Sequence, residues 1–239
     1  MKTWNAVKVI GAVAVATVIM APQARAIVAY DYTGVVGNEQ FNQADILGNI
    51  FTVNSAINVT AVGAFTSSGS FGAATVQVAI YQLTSGTWGL TTTVESFSGS
   101  GSSDHGARMQ DLSSPVTLTP GGIYAIVAAN YDIPGAPYWA NGQSGPPSPT
   151  FNSDGGIISI GDGGSPTTLV YTYTLGATLP GTLVTSEGTG SLSTPNFGAG
   201  TFEFEPVPEA ATFGAAGVGL LGLVYIGRYA RLRSKVTLA

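Results

Sequence analysis

The sequence predicts an all-β fold: a single β-sandwich or jelly-roll-like ectodomain over residues 27–206, between an N-terminal signal-peptide helix and a C-terminal transmembrane helix. Three observations predict it. The helical period is absent between Ile27 and Pro206, where apolar residues instead tend to alternate with polar ones. Glycine is 33 of the 239 residues and clusters with Ser, Thr and Pro into turns between the apolar stretches. The long unbroken apolar runs that remain lie near the two termini, each beside basic residues.

The elements follow in order. Residues 1–26 have the layout of a secretory signal peptide. Lys2 and Lys8 form a positive start, and Val9–Ala21 is apolar apart from Thr17. Pro22 then ends any helix. Ala24 and Ala26 supply the small residues a signal peptidase reads before a cut ahead of Ile27. The apolar run is too short to span a bilayer comfortably.

The body reads as a series of strands. Asn58–Phe65 alternates loosely. Ala74–Tyr81 alternates strictly, with Val76, Val78 and Ile80 on one face. Ile123–Ala129 is nearly all apolar and is expected to be a central strand buried on both faces. Leu169–Thr174 and Thr201–Phe204 are the late strands. Ser67–Ser70, Ser85–Gly86 and Thr119–Gly122 are the turns. Residues 133–165, with five Pro and eight Gly, read as a loop-rich insert.

At the C-terminal end, residues 207–235 read as a sorting and anchoring segment. Ala211–Gly227 is 17 residues without a charge, about 25 Å as a helix at 1.5 Å per residue, slightly under the ~30 Å hydrocarbon core. Pro206 and Pro208 suit the start of that helix. Arg228, Arg231, Arg233 and Lys235 follow it and hold their flank in the cytoplasm.

Val207-Pro208-Glu209, a short Gly- and Leu-rich span and a terminal Arg cluster together resemble the PEP-CTERM sorting signal. Ala210 stands where that pattern usually has a second Pro. The resemblance covers about the last thirty residues. It implies a Gram-negative bacterium and an exosortase-like membrane transpeptidase as partner. It also implies an anchor that is transient, with the body delivered to the cell surface or matrix in an exopolysaccharide or biofilm setting. A second resemblance lies in the body. The VTAVGAF and VQVAIYQ strands, followed by LSSPVTLTPGGIYAIVAAN, look like the small extracellular choice-of-anchor β-domains, which carry fold information and no chemistry.

Charge and composition narrow the function classes. The span from Ile27 to Pro206 holds twelve carboxylates and one basic residue, Arg108, a formal charge of −11. Such a body is repelled by nucleic acid and by anionic headgroups. The chain has no Cys and one His, His105, which excludes disulfides, thiolate metal sites and multi-imidazole centres. His105 follows Asp104, but no Gly-x-Ser-x-Gly elbow marks a nucleophile for a triad. The carboxylates are scattered singly, with no pair marked out for glycoside hydrolysis. The expectation is a protein that is not an enzyme.

Two ligand classes remain. Asp154 and Asp162, each before two glycines and with Asn152 nearby, offer oxygen donors that suit calcium. The same residues are ordinary turn formers, and that reading is preferred. Trp88, Tyr138, Trp139, Asn141 and Gln143 offer the aromatic faces and amides of a carbohydrate site. Packing against the sandwich edge is the competing reading for both tryptophans. The leading expectation is an exported, non-catalytic surface or matrix protein. The alternative is a module that recognises exopolysaccharide, with a secreted hydrolase behind both.

Overall fold

A computed structural model describes residues 25–31, 46–66, 70–131, 150–161, 167–172, 178–183, 186–189 and 200–208. Arg25–Val207 forms one compact unit. Among the described residues there is no α-helix, and no helix long and apolar enough to cross a membrane. The expected signal helix and the expected span Ala211–Gly227 lie outside the described residues.

The strands pair into two main antiparallel sheets. The larger has its path in the order β13 (Thr182–Leu183), β6 (Thr87–Leu90), β5 (Ser70–Thr84), β9 (Ile123–Ala129), β3 (Ile46–Val53), β12 (Thr167–Thr172) and β14 (Ser186–Thr189). Two further strands join it: β7 (Glu95–Ser100) beside β5, and β11 (Ile158–Ile160) beside β3. The smaller runs β1 (Ile27–Val28), β15 (Thr201–Pro206), β4 (Ile57–Phe65), β8 (Ala107–Leu118). A two-stranded pair, β2 (Tyr30–Asp31) with β10 (Thr150–Phe151), completes the set.

The two sheets share one apolar core, as a sandwich requires. Val59, Val62, Phe202 and Phe204 come from the smaller sheet; Phe51, Val78, Ile80, Tyr124 and Ile126 come from the larger. The contact is aromatic: Phe51 stacks on Phe202 with ring centroids 4.7 Å apart and on Tyr124 at 5.8 Å. A second apolar cluster, with Ile50, Tyr81, Trp88, Val127, Leu179 and Leu183, lies on the other face of the larger sheet.

That second cluster explains where alternation weakened. β9 sits between β5 and β3, so its odd and even positions are both buried, as expected for an apolar run. β5 does the same over its middle. Val76, Val78 and Ile80 join the shared core while Ala79 and Tyr81 join the other cluster, so the strand buries two faces rather than one.

Two expectations change in detail. Ser70 opens β5 instead of closing a turn. The loop-rich reading of residues 133–165 fails for its later part, because Ile158 is fully buried in β11 and Phe151 and Ile157 pack on the core. The sequence hides this, because short apolar pairs between Gly and Pro clusters carry no period. Within the Gly- and Ser-rich Leu175–Asn196 stretch, Thr182–Leu183 and Ser186–Thr189 are strands, on β6 and β12 respectively.

Candidate functional site

Trp88 shows its environment plainly. Its cross-strand partner on β5 is Leu83, and both point to the second cluster beside Tyr81 and Leu183. Trp88 is 2% exposed, so it offers no open ring face for a sugar. Its reading as a binding residue is therefore corrected to core packing. Its indole N–H is buried without a hydrogen-bond partner among the described residues. Tyr138, Trp139, Asn141 and Gln143 lie outside the described residues.

Asp154 opens a one-turn 3-10 helix, Asp154–Gly156, with φ of +44°. Its N–H donates to Asn152 Oδ1 at 3.1 Å, so Asn152 serves as a local turn former. Asp162, the other expected calcium ligand, lies outside the described residues. Among the described residues no group of three or more acidic or imidazole side chains is arranged to hold a metal.

Of the processing residues, Ala26 is exposed and Ile27 begins β1. Val207 donates its N–H to the Ala56 carbonyl at 2.9 Å, and Pro208 is exposed. Ala24, Glu209, Arg228, Arg231, Arg233 and Lys235 lie outside the described residues.

His105 sits in a tight turn closed by two backbone hydrogen bonds of 2.8 Å between Asp104 and Ala107. His105 and Gly106 both have positive φ, +50° and +76°, the geometry of a type I′ turn. The turn aims the ring at Asp31, with Nδ1 2.7 Å from Oδ2, so Nδ1 carries the proton. Nε2 lies 3.7 Å from Asp104. Glu203 is close by: burial raises its pKa, Asp111 and Asp104 add to the rise, and His105 opposes it. Among the described residues no Ser hydroxyl bonds to His105, so the imidazole has an orienting carboxylate and no nucleophile. The arrangement ties β2 to the start of β8. Asp104 is adjacent in sequence, but the principal partner is Asp31, 74 residues away.

A shallow cleft lies on the β5–β6 hairpin. β5 and β6 form a hairpin turning at Ser85–Gly86, in register from Tyr81↔Leu90 to Thr84↔Thr87. The face of β5 that buries Val76, Val78 and Ile80 becomes half-buried at Gln82 and exposed at Thr84. There the cleft of about 270 Å³ opens, lined by Gln82, Thr84, Thr87, Gly89, Leu90 and Thr91. Gly89 is part of the lining, and a Cβ added there would meet no atom within 4 Å. Nothing in the sequence marks it, because Thr and Gly there match their use in the other strands and turns.

No curated protein and no solved structure matches the chain. A family model described as Lectin like domain matches residues 27–139, from β1 to just beyond β9. The match fits an extracellular β-domain, in keeping with the all-β sandwich of the described residues.

Proposed function

We propose that the chain is an exported surface protein whose β-sandwich binds carbohydrate without catalysing its breakdown. The single observation that carries this reading is the lectin-like match over residues 27–139. It raises carbohydrate recognition above the plain structural role. A lectin-like family also favours binding over turnover, and the His105 site lacks a bonded nucleophile among the described residues. Retention of the full-length protein on insoluble neutral polysaccharides such as cellulose, chitin or curdlan is the expected result. Passage through all of them, with no retention on any other glycan support, overturns it.

Delivery belongs to the same proposal. A signal peptidase cuts after Ala26, and an exosortase-like transpeptidase acts near Val207-Pro208-Glu209 while the basic tail holds the C-terminus in the cytoplasm. The order of the terminal motifs supports this, as does the exposure of Ala26 and Pro208. Deleting Val207–Ala239 should release the protein from the cell surface. Unchanged surface retention of that truncation overturns the sorting role.

A further inference from the structure

We infer that the cleft on the β5–β6 hairpin is the carbohydrate site, and that it takes a neutral sugar ring rather than a uronate. This rests on the carbohydrate-binding reading above and adds the place and the ligand class.

The lining is all neutral: one carboxamide, Gln82; three hydroxyls, Thr84, Thr87 and Thr91; and a bare backbone at Gly89. These groups both donate and accept, which suits the alternating hydroxyls of a pyranose. Among the described residues, no hydrogen bond occupies the side chains of Gln82, Thr84 or Thr87. Thr91 has only a long contact of 3.4 Å to the Gly89 carbonyl. Among the described residues these donors and acceptors are thus not committed to strong bonds within the fold.

Leu90 also borders the cleft, but it pairs with Tyr81 and alternates with Gly89, so its side chain, 37% exposed, belongs to the Trp88 face of the hairpin. The cleft face itself is polar, which suits the hydroxyl rim of a sugar ring. The volume is just under the usual range for small-molecule pockets, enough for one ring but not a long chain. The hairpin itself is a firm support, because Trp88 and Leu83 anchor its opposite face in the second cluster. Leu90 N–H also donates to the Gly181 carbonyl at 2.9 Å. The body's formal charge of −11 repels acidic polysaccharide, and no cation lines the cleft to offset it.

The test uses full-length protein titrated with cellohexaose, maltoheptaose, laminarihexaose and, as the acidic comparison, trigalacturonate. Gly89→Val adds bulk to the cleft lining; its φ is ordinary, the space is open, and β-branched residues suit strands. A second variant, T84A/T87A, removes two hydroxyls without filling anything. The expected result is binding of at least one neutral oligosaccharide and no binding of trigalacturonate. Gly89→Val should then bind at least tenfold more weakly, T84A/T87A several-fold more weakly, and both should unfold at the wild-type temperature. Wild-type affinity in both variants overturns the site while the carbohydrate reading stands. Preference for trigalacturonate overturns the neutral ligand class. Absence of binding to every oligosaccharide overturns the site together with the reading it rests on.

Discussion

Tyr30 is wholly buried, tilted against Phe151 and edge-on to Phe202, and its hydroxyl meets no hydrogen-bond partner among the described residues. Burial alone pushes its pKa far above the ordinary phenol range. An unpaired buried hydroxyl costs stability, and removing it leaves the ring packing intact. Tyr30→Phe should therefore be neutral or stabilising, by up to about 1 kcal/mol in a urea midpoint series. A clear loss would mean that the hydroxyl has a partner. Glu203 belongs to the same scale. Its raised folded pKa means that the folded chain holds a proton which the unfolded chain has released, so its contribution fades as pH rises through the upper carboxylate range. Glu203→Gln cannot ionise. It should match wild type in mild acid and become the more thermostable of the two on approach to neutral pH. Its partial exposure keeps that gain small. A constant difference at every pH would remove ionisation as the cause.

Between strands, the tightest fit lies where Thr201, Gly63 and Met109 fall in one row across β15, β4 and β8. A Cβ on Gly63 would clash with Met109 Sδ and lie 3.0 Å from Thr201 Cγ2. Gly63→Ala must displace the methionine, so it should destabilise by about 1–3 kcal/mol. Much of that loss should vanish in a Met109→Ala background, because the two sites share one space. Additive losses in the double mutant would show that the side chains do not compete. Legibility divides along the same lines. Ile123–Ala129 announced its central place, since only a strand covered on both faces tolerates such an apolar run. Val76, Val78 and Ile80 announced the shared core. Trp88 could be read either way from sequence, because an aromatic near a turn suits both a sugar face and a core edge. The pairing with Leu83 and the neighbours Tyr81 and Leu183 decide it; the first two lie in the same hairpin, but Leu183 on β13 comes from far along the chain and has no signal near Trp88. The cleft was illegible because it exists only where β5 runs out of cover, a matter of strand length and not of residue type.

For the whole molecule, the acidic body and the two basic, apolar ends make separate statements. The proposed binding rests on the sandwich and its lectin-like match; the proposed delivery rests on the ends. Intact mass of the protein recovered from culture should correspond to a chain that starts at Ile27 and ends near Pro208. A mass that includes Met1 and Ala239 would refute both processing steps.

β1 lies antiparallel to β15, with Ile27 opposite Phe204, so the body's first and last strands meet at one corner of the smaller sheet. Force applied through both ends would act on that corner alone, breaking the ladder pair by pair instead of shearing it as a block. Held by the two ends, the body is built to peel. A protein tethered in a matrix by a single point avoids that loading, and trimming one end would leave the sandwich far harder to pull apart.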